Sequence, residues 1–296
     1  MAESNDIYGL IDRCVEQRDD LDLISCADLC YRSSTGQTRY PFLKLISTEI
    51  NADDKLLLIR AGIHGDEIAG PLTIAQHLGE ICDTAQRSGV KLIIFPLDNP
   101  SGFDSRRRYS LEDAGHAGNN DFLRYELPSG EWSWDLAAHQ PFKRFLWSSD
   151  PQLSIALPQE TRALHAELRK LPLSQVLGVI DLHQDNFMNV VGAYHYAFGD
   201  LSRYERIIDQ VRSIVPLLSH QIITSGYTCD SVLAPCSDDN GFIVRCDGSL
   251  CDLFYRLGCP YSVTVETTGS TPLPEAIAIN LVWIFGIIEL LQGHNR

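Results

Sequence analysis

The chain has 296 residues, enough for one large domain with a sizeable core, and its 44% apolar and 21% charged content is that of an ordinary globular protein. Lys and Arg number 24 against 39 Asp and Glu, a net charge of −15. That leaves no basic surface excess to neutralise nucleic acid or an anionic membrane, and the one basic cluster, "RRR" at 106–108, is too short for a phosphate-binding stripe.

Residues 1–20 read as a polar helix, of which "DIYGLIDRCVEQ" is weakly amphipathic. With no basic stretch and no apolar core, this N-terminus is not a signal peptide. "LISCADLCYRSSTGQTRYPFLKLIST" reads as two strands about a Gly-containing turn. Residues 1–45 are thus expected to form a helix and hairpin packed on the main body. "KLLLIRAGIHG" is an apolar strand running into a loop, "IAGPLTIAQHLGEICDTAQ" a helix, and "VKLIIFPLDNP" a second apolar strand stopped by Asn-Pro. The stretch 101–150 lacks periodicity and is expected to be irregular, which in a compact domain points to function or mobility.

"PQETRALHAELRKL" predicts a helix, "LGVIDLH" a strand, "LSRYERIIDQVRSIVPLL" a helix, "LCDLFYRLGC" a short helix and "PYSVTVETTG" a strand. The apolar run 276–291, "AIAINLVWIFGIIELL", is shorter than the roughly 20 residues of a membrane span and carries Asn280 and Glu289. It predicts a buried C-terminal helix and no membrane. Strands that are apolar throughout, alternating with helices, imply an α/β fold: one domain over 1–296, built on a mostly parallel, mixed and twisted sheet with helices on both faces. The nine cysteines are odd in number and include no CxxC pair, so a disulfide framework and a Cys-based zinc site are both disfavoured. Reduced thiols and a cytoplasmic location are expected.

His64 and Glu67 follow the first buried strand, three residues apart, as either a turn-stabilising pair or two ligands of one metal ion. His183 ends "GVIDLH" and Glu266 ends "YSVTVE". In open α/β sheets ligands bind beyond the carboxyl ends of the strands, so these distant residues can meet in one crevice. Two histidines and a carboxylate make a complete catalytic zinc set with one position left for water, and Glu266 is the free carboxylate to move a proton. Asp181 lies two residues before His183 and shares its face, either bonding nearby backbone or orienting a ligand. Asp185 and Asn186 read as loop polar groups. Tyr194 and Tyr196 share one face and His195 takes the other, a packing pattern. No GxSxG elbow suggests a serine hydrolase.

Four motifs in order, "AGIHGDEIAG", "DNPSGF", "VIDLHQDNF" and "YSVTVETTGS", resemble the zinc carboxypeptidase family from about residue 55 onward. That family includes carboxypeptidases A and B and the deacylases aspartoacylase and succinylglutamate desuccinylase. The resemblance implies a zinc carboxypeptidase-like fold with one zinc ion on His64, Glu67 and His183. It implies Glu266 as general base and then general acid, and an arginine after the NPxG motif, Arg108 before Arg107, as oxyanion stabiliser.

The chain departs from the family at the substrate site. The family's Asn-Arg pair, which holds a substrate carboxylate, corresponds to Asn119 and Asn120 here, so an amide stands where the arginine should be. Arg124 or Arg245 would have to supply the charge, Val244 and Arg245 standing where the family has a mobile tyrosine. A metallocarboxypeptidase-like hydrolase of peptides is expected, with an N-acyl amino acid deacylase as the alternative. An inactive zinc-binding relative is disfavoured by the presence of Glu266. Nothing in the sequence sets the oligomeric state.

Overall fold

The computed structural model describes residues 3–33, 36–111, 122–133, 140–148, 158–186, 189–219, 237–243 and 249–294. Helix α1 (Ser4–Val15) leads into a long hairpin, β1 (Leu21–Ser33) and β2 (Gly36–Ser47). Then follow β3 (Lys55–Ala61), α2 (Ala69–Arg87), β4 (Val90–Phe95) and the short α3 (Pro100–Ser105). Strands β5 (Phe122–Glu126), β6 (Trp132–Ser133) and β7 (Arg144–Ser148) precede α4 (Gln159–Leu168). The chain continues through β8 (Val176–Asp185), β9 (Ala193–Phe198), α5 (Glu205–Ile214), β10 (Phe242–Ile243), α6 (Leu250–Arg256), β11 (Tyr261–Thr268) and α7 (Leu273–Gly293).

Eight strands form one mixed sheet in the order β1-β2-β4-β3-β8-β11-β9-β10. Its centre, β4-β3-β8-β11, is parallel, as expected for strands apolar on both faces. Alternate residues of each strand supply the two faces. Leu57, Ile59, Ile94, Ile180 and Val263 meet Ile11 of α1, Ile74 of α2, Ile208 of α5 and Ile284 of α7. Leu58, Ile93 and Val179 meet Leu164 of α4 and Phe254 of α6. The structure is thus a mixed α/β fold, a mostly parallel sheet covered by helices on both sides.

Four sequence expectations change. The N-terminal hairpin is not packed on the sheet but extends it, since β2 pairs antiparallel with β4. The stretch 101–150 carries all but the first residue of α3 and a second, antiparallel sheet in the order β6-β5-β7. Strands β8 and β11 each run two residues past His183 and Glu266, so both side chains stand inside paired strands, directly opposite one another. Helix α7 is 21 residues, longer than its apolar run and by length and composition able to cross a membrane. Yet Ile279, Trp283, Ile284, Ile287, Ile288 and Leu291 along it are wholly buried in the core.

Candidate active site

The loop after β3 owes its shape to close approaches that only glycine permits. Gly62 takes a left-handed conformation (φ 72°), and a Cβ on Gly65 would lie 2.0 Å from the carbonyl carbon of Gly102 in α3. Asn99 joins the two segments: its Oδ1 caps α3 by accepting from the Gly102 amide at 2.9 Å, and its Nδ2 donates to the carbonyls of Ile63 and Arg108 at 3.2 and 3.3 Å. The Gly65 amide donates to the Arg108 carbonyl at 3.1 Å. The "HG" and "NPSG" motifs are therefore one structural unit, which seats His64, Glu67 and Arg108 together.

Three side chains converge there. Glu67 Oε1 lies 2.7 Å from His64 Nδ1, Glu67 Oε2 lies 2.9 Å from His183 Nδ1, and the two Nδ1 atoms are 3.3 Å apart. All three residues are buried, and they form the one His/Cys/Asp/Glu cluster among the described residues able to hold a metal ion. Nitrogen ligands of a tetrahedral zinc ion with bonds of about 2.0–2.1 Å stand about 3.3–3.4 Å apart, so the donor set and its spacing fit a metal. Glu67 Oε2 also accepts from the Gln184 amide at 3.0 Å, and Oε1 from the Arg108 guanidinium at 2.9 Å.

Glu266 stands next to this cluster, its Oε1 4.0 Å from His183 Nδ1 and its buried Oε2 without a partner among the described residues. Burial pushes its carboxyl well above the ordinary value; His183 opposes this, and Glu67 and Asp185 add to it. Burial also pulls His183 down, but the carboxylates of Asp181, Glu67 and Glu266 prevail and hold it well above the usual imidazole range. His64 is lowered by burial, the Glu67 charge opposing. Glu67 is raised by burial, yet the two histidines hold it well below the carboxylate range.

Asp181 Oδ1 lies 3.3 Å from His183 Nε2, an ion-pair contact on the side of the ring away from the cluster. Its Oδ2 accepts from Arg60 at 3.1 Å, and Arg60 also pairs with Asp98. Asp185 is buried and accepts from the Tyr194 hydroxyl at 2.8 Å, so Tyr194, which stands opposite Glu266 across β9 and β11, does more than pack. Asn186 is exposed.

Among the sequence candidates, Arg108 reaches the cluster, whereas Arg107 is exposed. Arg124 lies on β5 in the smaller sheet, its Nε buried without a partner among the described residues. Asn119, Asn120 and Arg245 fall outside the described residues, as does Val244. Arg60 and Asp98 were not singled out from the sequence. The available signal was a charge at the end of the apolar run "KLLLIR", in a strand buried on both faces, where an ion must have partners.

The fold is carboxypeptidase-like. A protein of Shewanella amazonensis SB2B, provisionally named a metallopeptidase, superposes with a TM-score of 0.66 at 20% identity, covering 97% of this chain and 92% of that one. A metallo-carboxypeptidase of Burkholderia cenocepacia gives 0.57 at 12% identity, over 96% and 68%. Bovine thrombin-activatable fibrinolysis inhibitor gives 0.56 at 17%, over 98% and 97%. Residues 53–122 match the family described as the succinylglutamate desuccinylase/aspartoacylase catalytic domain. A search of curated protein sequences finds no match. The zinc carboxypeptidase-like fold, this family match and the His-Glu-His cluster together support a metallohydrolase.

Proposed function

We propose that the protein is a zinc-dependent hydrolase of an amide bond, acting on peptides in the manner of a metallocarboxypeptidase. The observation that carries this reading is the convergence of His64 Nδ1, Glu67 and His183 Nδ1 beside the buried Glu266 carboxyl. Two imidazoles and a carboxylate suit zinc, which when bound supplies Lewis acidity toward a carbonyl and acidifies water.

The chain's own residues do the rest. His64, Glu67 and His183 hold the ion. Glu266, a buried carboxyl with a raised pKa, takes a proton from water and delivers it to the departing nitrogen. Arg108, held over the site by Glu67, offers positive charge to the developing oxyanion. The substrate's carboxylate requires a cation for a charge-assisted fork, and Arg124 and Arg245 are the candidates. The free thiols of the described cysteines suit a reducing, cytoplasmic compartment.

One observation favours a second substrate class. The family matched over 53–122 is one of N-acyl amino acid deacylases, which use an amide-cleaving site on a smaller acidic substrate. One experiment separates the two. Zinc-loaded protein and its Glu266→Gln variant are given a pool of free-acid peptides, their C-terminal amides, and N-acylated aspartate and glutamate, and products are read by mass spectrometry. Trimming of the free-acid peptides alone, reduced roughly a hundredfold to ten-thousandfold in the variant, is the expected result. Cleavage of the acyl amino acids alone assigns the deacylase class, and identical products from both proteins refute Glu266 as the base.

A further inference from the structure

Arg60 is wholly buried, and its guanidinium is engaged by two buried carboxylates, those of Asp98 and Asp181. It lies on β3 in register with Asp181 on β8, and the two side chains share the sheet face that carries His183. Its Nε donates to Asp98, just beyond β4, and one terminal nitrogen donates to Asp181 Oδ2 at 3.1 Å. Both carboxylates are buried as deeply as the guanidinium. The other oxygen of Asp181 lies 3.3 Å from His183 Nε2, an ion-pair contact, so the Asp181 carboxylate is bonded at one edge by Arg60 and stands beside the histidine with the other.

We propose that Arg60 is a positioning residue of the metal centre: by clamping Asp181 against Asp98 across three adjoining strands, it fixes the carboxylate that sets the orientation of His183. The inference rests on the reading of His64, Glu67 and His183 as metal ligands. A guanidinium suits the task because it is planar and always charged, and its fork reaches two carboxylates at once. A lysine at the same place is a single point charge on a flexible stem. Without the clamp, Asp181 is free to rotate about its last torsion, and the Nδ1 of His183 is no longer aimed by its second nitrogen. Partners of this kind behind metal ligands typically contribute ten- to a hundredfold to metal affinity.

A buried ion pair that merely holds the core together predicts something different, and this molecule carries such a control. Lys44 and Glu167 form a buried pair at 2.6 Å on β2 and α4, away from the ligands. The test measures zinc affinity by competition and the visible absorption of the cobalt(II)-substituted protein, with urea stability alongside. Its variants are Arg60→Lys, Arg60→Met, Asp181→Asn, the Arg60→Met/Asp181→Asn double and Glu167→Gln. Arg60→Lys keeps a buried positive charge and guards against a variant that fails to fold.

The expected result is a ten- to a hundredfold loss of zinc affinity in Arg60→Lys, with an altered cobalt spectrum. The double variant should lose no more than Asp181→Asn alone, because both changes act through one carboxylate. Glu167→Gln should lose stability and keep its zinc affinity. Wild-type affinity and an unchanged cobalt spectrum in Arg60→Lys, or losses that add in the double, overturn the clamp alone. Failure of wild type to take up either metal overturns the metal-site reading and the clamp with it.

Discussion

His195 makes the acid stability of this fold predictable. It sits on β9 with its ring 4.7 Å from that of Trp283 and 6.0 Å from that of Phe242, and neither ring nitrogen has a hydrogen-bond partner among the described residues. Burial, with no neighbouring charge to oppose it, pulls its pKa down to about 3. In the unfolded chain the same imidazole takes up a proton near pH 6.5. The folded value is the lower of the two, so the unfolded state binds the proton first. Stability is therefore lost as pH falls below about 6.5, and the loss levels off only near pH 3.

Integrated between about pH 7.5 and pH 5, this one residue costs the fold about 2 kcal/mol. The assay is urea unfolding of wild type and His195→Leu, a similar volume without the titrating ring, at both pH values. Carboxylates and the other histidines contribute alike to both proteins, so their pH terms cancel in the comparison. Wild type should lose about 2 kcal/mol more than the variant on acidification. At pH 7.5 the variant should be at least as stable, since no buried nitrogen is then left unpaired. Equal pH dependence in the two proteins would refute the reasoning, because it would mean that the ring is solvated or charged inside the fold.

Gly65→Ala should abolish stoichiometric zinc uptake, measured by elemental analysis of the purified protein, because the new methyl would occupy the backbone of Gly102. Asn99→Ala removes the cap of α3 and the bonds to the Ile63 and Arg108 carbonyls; a loss of about 2–4 kcal/mol in urea unfolding is expected, with weaker zinc binding. Glu167→Gln leaves Lys44 buried without its carboxylate and should cost about 3–5 kcal/mol. Glu289→Gln breaks the exposed Arg206–Glu289 pair and should cost less than about 1 kcal/mol by the same assay.

The cluster and the charged groups packed behind it differed in how far they could be read from sequence. The meeting of His64, Glu67, His183 and Glu266 was legible because chemistry restricts the residue types and the carboxyl-terminal halves of the sheet strands restrict where they stand. Arg60 was not: a single charge after "KLLLI" says that a partner is needed, but not which of 39 acidic residues provides it. Asp98 and Asp181 become that partner only when β4 and β8 flank β3, a pairing between segments over a hundred residues apart in the case of Asp181. Tyr194 looked like packing for a related reason, since its hydroxyl meets Asp185 only after β9 turns back antiparallel to β11.

Local pattern alone determined the apolar strands and the helices between them, because strand and helix periodicities are properties of neighbouring residues. Tertiary structure alone decided that the N-terminal hairpin extends the sheet and that Gly65 rests on Gly102. It also decided that His195 is walled in by aromatic rings and that Arg60 links two carboxylates. Each of these depends on which distant segments come to lie side by side, and a buried charge or an unpaired ring nitrogen acquires its energy only from the neighbours that folding supplies.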